Sequence, residues 1–163
     1  MIEIITLDER YRAWARVLLV ESWAGPTVVS RGRLYDASRL PGLVAIYQGR
    51  PAGLATYLIE RDSCELVTLD SQVPGVGIGS ALLTGVKEIA AAANCLRLWL
   101  ITTNDNTVGL RFYQRQGFVL VALHRGTLAE SRRLKPQIPQ FGLDGIPLLD
   151  ELELSYFLKD KNE

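Results

Sequence analysis

The chain is poor in the residues that build metal centres and disulfide scaffolds. It has one histidine, His124, and two cysteines, Cys64 and Cys95. A single imidazole removes most histidine-based metal sites and argues against a Ser-His-Asp hydrolase. Two cysteines are too few for a disulfide framework or a zinc cluster, so they read as reduced thiols in or near a core. No metal is expected. Net charge is also missing, since 18 basic residues offset 18 acidic ones. The overall field favours neither nucleic acid nor an anionic membrane, and any affinity for an anion must come from a local site. The longest uncharged stretch, residues 71–86, is broken by Pro74 and several glycines and does not read as a membrane span. Met1-Ile2-Glu3 opens without the basic cluster of a signal peptide. The expectation is a cytoplasmic protein with no nucleic-acid or membrane partner.

What is present is ordinary globular composition. Of 163 residues, 48% are hydrophobic and 22% charged. That length suits a single domain over residues 1–163, which buries roughly 70% of its unfolded surface and needs no staple. No internal repeat or low-complexity linker interrupts it.

Periodicity divides the chain. A short strand near Ile2 and Ile4 precedes a helix capped by Asp8 and running to about Val20. Gly25-Pro26 breaks it, and a second short helix is expected over 31–38. Strands at 43–47, 53–59 and 64–69 form an antiparallel meander. Residues 76–93 have helical spacing. Residues 96–101 are a solid apolar run, as in a strand covered on both faces. A helix over 107–116 stops at Gly117, strand 118–123 follows, and 127–134 is a further helical stretch. Leu152, Leu154 and Tyr156 alternate with Glu151, Glu153 and Ser155, which suggests a half-exposed last strand. The sum is a mixed sheet with helices on its faces.

The first chemical signal is Gly75-Val76-Gly77-Ile78-Gly79-Ser80, between a strand and a helix. A helix N-terminus offers unpaired N–H groups and partial positive charge, and glycines remove the Cβ atoms that would keep an anion away. A tight turn using glycine only for its backbone angles is the plainer reading. Gly79 is followed by Ser80, so the Gly-Lys-Ser/Thr of a P-loop is absent. A dinucleotide fingerprint nearly fits, but it ordinarily opens a parallel βαβ domain and here follows a meander.

The stretch from Leu69 to Leu83 (LDSQVPGVGIGSALL) resembles the acetyl-CoA motif of the GNAT superfamily of N-acetyltransferases, Arg/Gln-x-x-Gly-x-Gly/Ala, with its glycines on Gly77 and Gly79. Residues 106–118 (NTVGLRFYQRQGF) resemble its second signature, Asn-x-x-Ala-x-x-Phe/Leu-Tyr-x-x-x-Gly-Phe. Both lie in family order and spacing, and the segment after His124 is similar to small, poorly characterised bacterial members. The resemblance implies an α/β, GNAT-like acyl-CoA N-acyltransferase fold. Its central twisted sheet would be mostly antiparallel, with helices on both faces and splayed middle strands. It further implies acetyl-CoA as cosubstrate and a small-molecule or peptide amine as acceptor. A sheet-edge homodimer would be unsurprising.

Carried over residue by residue, the resemblance puts Leu69 beside pantetheine and the N–H groups of Val76, Gly77, Ile78, Gly79 and Ser80 around the pyrophosphate. Asn106 matches a residue that contacts the cofactor arm, and equally suits a helix N-cap. Tyr113 matches the general acid: a phenol with an ordinary pKa near 10 is protonated at neutral pH and can donate to the departing thiolate. Packing between helix and sheet is the alternative. The attacking amine must lose a proton, and Glu65 and Asp70 are the candidate bases, on opposite faces if their strand is regular.

Two positions depart from the pattern. Pro74 stands where the family has Arg or Gln and has neither a side-chain donor nor a backbone N–H, which removes one phosphate contact. Gly109 replaces Ala at about 1 kcal/mol in helix propensity. On the acceptor side, Trp23, Arg31, Arg33, Tyr35 and the loop 124–147 are the residues to consider. The arginines read as holders of an acceptor carboxylate or as a solvated face. Arg132, Arg133 and Lys135 read as a solvated basic cluster. A CoA-binding module without catalysis and a Rossmann-type nucleotide binder are the rival functions.

Overall fold

The computed structural model describes residues 1–158; the last five of the expected 1–163 domain lie outside the described residues. Strand β1 (Ile2–Thr6) leads into helix α1 (Glu9–Trp23). The Asp8 carboxylate accepts from the Arg10 N–H at 3.0 Å and caps the helix, and Ala24 ends it in the left-handed region. Then come β2 (Thr27–Ser30), β3 (Arg33–Asp36), a 3-10 turn (Ala37–Arg39), β4 (Gly42–Tyr47), β5 (Arg50–Glu60) and β6 (Ser63–Ser71). Helix α2 (Ile78–Ala92) precedes β7 (Arg97–Thr103), α3 (Thr107–Arg115), β8 (Val119–His124), α4 (Thr127–Leu134) and β9 (Glu151–Phe157).

Seven strands form one mixed sheet in the order β1-β4-β5-β6-β7-β9-β8. Every neighbouring pair is antiparallel except β6 and β7. One face packs on α2: Leu82, Leu83 and Val86 meet Leu66, Leu98 and Leu154, all fully or nearly buried. The other packs on α1, where Leu18 and Leu19 meet Val44 and Leu54. Each such leucine contributes roughly 1.5–3 kcal/mol on burial. Helix α2 lies close to the sheet because Gly53 of β5 has no side chain: a Cβ there would stand 2.4 Å from Ile78 Cγ2. No described helix is long and apolar enough to cross a membrane.

Two expectations are corrected. Residues 31–38 are not a helix. Strands β2 and β3 pair as a hairpin closed by Arg31-Gly32, both at positive φ (48° and 75°), and only Ala37–Arg39 is helical. Val28, Val29 and Tyr35 are better strand than helix formers, and this two-residue turn suits the strand twist. The last strand is not half-exposed. Strand β9 is inserted between β7 and β8, and Glu151, Glu153 and Ser155 are 1%, 5% and 0% exposed. The polar face is covered by the layer that carries the β2–β3 hairpin.

Candidate active site

Strand β6 is irregular where it matters. Thr56 of β5 pairs with Thr68, but Tyr57 pairs with Leu66, so Val67 is an extra residue on β6. The bulge interrupts the in-out alternation. Glu65 and Asp70, an odd number of residues apart, consequently both turn to the α1 side. This corrects the opposite-face placement of a regular strand. Glu65 accepts from Ser30 Oγ and from the Tyr35 hydroxyl, each at 2.8 Å. Asp70 accepts from Trp23 Nε1 at 3.0 Å. Burial pushes both carboxyls above their ordinary range; the bonds from Tyr35 and Ser30, and from Trp23 and Ser22, oppose it without cancelling it.

Strands β6 and β7 pair only from Ser63–Glu65 to Arg97–Trp99 and then separate. Beyond that point the β7-facing edge of β6 has no strand partner. Here a cavity of about 690 Å³ opens, walled by Glu65 and Val67 from β6, Ile101 from β7, Trp23, Lys135 and Glu151.

At the splayed end of β6 stands the glycine turn. Gly75 and Gly77 have φ of 79° and 92°, which glycine alone adopts without strain. Gly77 caps α2, and Ala81 N–H is bonded back to the Gly77 carbonyl, so the amides just before it point out of the helix end. Ile78 is 1% exposed and anchors the turn in the core, while Val76 is exposed. A Cβ on Gly79 would stand 3.3 Å from Phe112. The Ser80 hydroxyl accepts from Gln116 Nε2 at 2.9 Å. Leu69 is half-buried against the α2-side core.

Asn106 caps α3. Its Oδ1 accepts from Gly109 N–H at 3.0 Å and its Nδ2 donates to Thr102 Oγ1 at 2.8 Å, while the residue also borders the cavity. The close packing that Gly109 permits is against this cap: a Cβ at 109 would lie 2.3 Å from Asn106 Nδ2. Tyr113 is half-buried and belongs to the α2-side core, edge-on to Phe112 and Phe118 with centroids 5.3 and 5.8 Å away. Burial, and then the charge of Asp70, push its phenol above the ordinary range, so it is protonated at neutral pH.

Sequence reasoning misjudged Lys135 and the acids of β9, all of which are buried. The arginines are engaged within the protein. Arg31 Nη1 meets Glu153 Oε1 at 3.3 Å, and Arg33 bonds Glu60. Glu153 also takes Arg97 Nη1 at 2.9 Å and His124 Nε2 at 3.0 Å. Burial would raise its pKa, but these partners outweigh it and hold Glu153 below the usual carboxylate range. Lys135 is not solvated: it is 6% exposed, and its ammonium donates to the Thr27 carbonyl at 2.5 Å and to the Trp23 carbonyl. It thereby ties the end of α4 to the end of α1. Arg132 donates to the Pro139 and Leu148 carbonyls, and only Arg133 of that cluster is exposed. The alternation of Glu151, Glu153 and Ser155 was the available signal for the buried acids, but alternation does not say which face meets water.

The model of the Acetyltransferase (GNAT) family matches residues 7–118. The uncharacterized protein YdhI of Bacillus subtilis (strain 168) is 35% identical over 156 residues, spanning 95% of this chain and 98% of YdhI. The IAA acetyltransferase of Bacillus cereus superposes with a TM-score of 0.77 at 21% identity, over 97% of this chain and 100% of that one. A Bacillus subtilis acetyltransferase solved in complex with CoA superposes with a TM-score of 0.72 at 18% identity, over 98% of this chain and 100% of that one. These two structural likenesses are of fold.

Proposed function

The chain belongs to the GNAT family of acetyltransferases, and from that premise we propose that it moves an acetyl group from acetyl-CoA to a primary amine by direct attack in a ternary complex, working as one domain. The observation that carries this is the end of β6–β7 pairing at Glu65 and Trp99, beyond which the strands part beside the cavity. The free N–H groups from Val76 to Ser80 at the start of α2 suit the pyrophosphate. The unpaired edge of β6 near Leu69 suits the pantetheine amides, in the manner of an added strand. Asn106 borders the same cavity, although its amide is already engaged in the α3 cap.

The acceptor enters from the α1 side. Glu65, in the cavity wall with a raised pKa, takes the amine proton directly or through one water. Asp70 sits farther along β6, bonded to Trp23, and its charge helps keep Tyr113 protonated. The amine nitrogen bonds to the thioester carbonyl carbon, the C–S bond breaks, and Tyr113 delivers its proton to the leaving sulfur.

Calorimetric titration with acetyl-CoA, with NAD as control, tests the reading. Saturable acetyl-CoA binding without NAD binding is expected, followed by loss of kcat at unchanged cofactor affinity in Tyr113→Phe. Binding with no turnover over an amine panel would favour the CoA-binding module, with Pro74 and the engaged Asn106 as its marks. NAD binding without CoA binding would overturn both.

A further inference from the structure

Three buried acids share the sheet face that looks toward α1 and the β2–β3 hairpin: Glu65, Glu153 and Glu151, at 4%, 5% and 1% exposure. Two have complete sets of partners. Glu65 is held by Ser30 and Tyr35, and Glu153 by Arg31, Arg97 and His124. Glu151 differs. Its Oε2 accepts the Arg31 backbone N–H at 3.2 Å, but its Oε1 is buried and accepts no hydrogen bond.

A buried carboxylate oxygen without a donor is one of the more expensive things a fold can keep. No neighbouring cation among the described residues relieves it. The guanidinium groups of Arg31 and Arg97 and the ring of His124 are engaged at Glu153. The ammonium of Lys135, on the same cavity wall, is engaged with the Trp23 and Thr27 carbonyls. Glu151 itself lines the cavity.

The hairpin turn sets the spacing of the two cavity acids. Ser30 and Arg31 are consecutive, one bonded to Glu65 Oε2 and the other to Glu151 Oε2, so the two carboxylates lie within about 11 Å of one another. The two nitrogens of an extended chain of three to six carbons lie roughly 5–9 Å apart and fit within that limit.

We propose that Glu151 is a specificity residue for the acceptor, holding a second cationic nitrogen while the reacting amine sits at Glu65, so that the preferred substrate class is the short diamine. This rests on the acetyl-transfer reading for the identity of the reacting end. Glu151 takes no part in the chemistry; it fixes which amines are held in place.

The test is calorimetric binding of α,ω-diamines of three to six carbons, against the matched monoamine and the matched amino alcohol, to protein saturated with CoA. Wild type is expected to bind its best diamine at least about 10-fold more tightly than either control, the equivalent of one charge-assisted bond. In Glu151→Gln that ratio collapses to about one, and in Glu151→Asp it is intermediate; a melting curve of each variant verifies the fold. Equal binding of all three ligands by wild type, no amine binding, or a ratio retained in Glu151→Gln would each overturn the proposal. CoA is titrated alone first. If CoA does not bind, the acetyl-transfer reading fails, and the amine comparison on the CoA-free protein still decides the role of Glu151.

Discussion

The Tyr35 hydroxyl donates to Glu65 Oε1 at 2.8 Å across a buried boundary between the β2–β3 hairpin and the central sheet. A side chain 30 residues away in sequence thus helps set the proton affinity of the candidate base. The bond favours the charged form and partly offsets the burial that raises the Glu65 pKa.

Removing that bond should therefore raise the Glu65 pKa further. In Tyr35→Phe the acidic limb of the kcat/KM profile is expected to move to higher pH, because a hydrogen bond to the charged carboxylate is lost. The plateau rate should change much less. A pH–rate profile with an unmoved acidic limb would remove Glu65 from the base role or Tyr35 from its control.

The same raised pKa has a stability consequence. The folded state holds the Glu65 proton to a higher pH than the unfolded chain does, so stability falls as pH climbs from the ordinary value of 4.5 through the folded value. Glu65→Gln lacks this slope. Its Tm relative to wild type is expected to improve from pH 4 to pH 8, while turnover falls by about 10²–10⁴-fold through loss of the base. A Tm difference independent of pH would contradict the assignment.

At Gly109 two opposing terms can be weighed. Alanine would improve helix propensity by about 1 kcal/mol. Its Cβ would stand 2.3 Å from Asn106 Nδ2 and displace the side chain that caps α3, at about 1 kcal/mol for the cap plus the strain of the clash. Gly109→Ala should be net destabilising in the wild type and stabilising in an Asn106→Ala background. Urea melts of the four proteins in this cycle check the change of sign.

Gly53 links the fold to the glycine turn that opens α2. A Cβ there would stand 2.4 Å from Ile78 Cγ2 and 3.1 Å from Leu82 Cδ1, pushing the start of α2 off the sheet. Gly53→Ala is expected to cost about 1–3 kcal/mol and to weaken acetyl-CoA binding as well. Thermal melts and calorimetry read the two effects, and binding that survives a lowered Tm would uncouple the turn from the packing.

Much of the molecule was legible in the residues alone. The apolar, turn-bounded runs of β4, β5 and β6, the helical spacing of α2 and the caps at Asp8 and Asn106 all act within a few residues and need no partner from elsewhere. The glycine turn was legible for the same reason: Gly75 and Gly77 occupy positive φ, and few other residues do so cheaply. The two signatures that resemble the GNAT family lie on those local features, which is why the family could be recognised before the fold was seen.

The tertiary structure alone decided three things. It folded residues 31–38 into a hairpin, because a strand is stabilised by a partner found only in space. It put Val67 in a bulge, because register is a property of two strands together, and so brought Glu65 and Asp70 to one face. It buried Glu151 and Glu153, because an alternating strand shows that its two faces differ without showing which one the rest of the chain will cover.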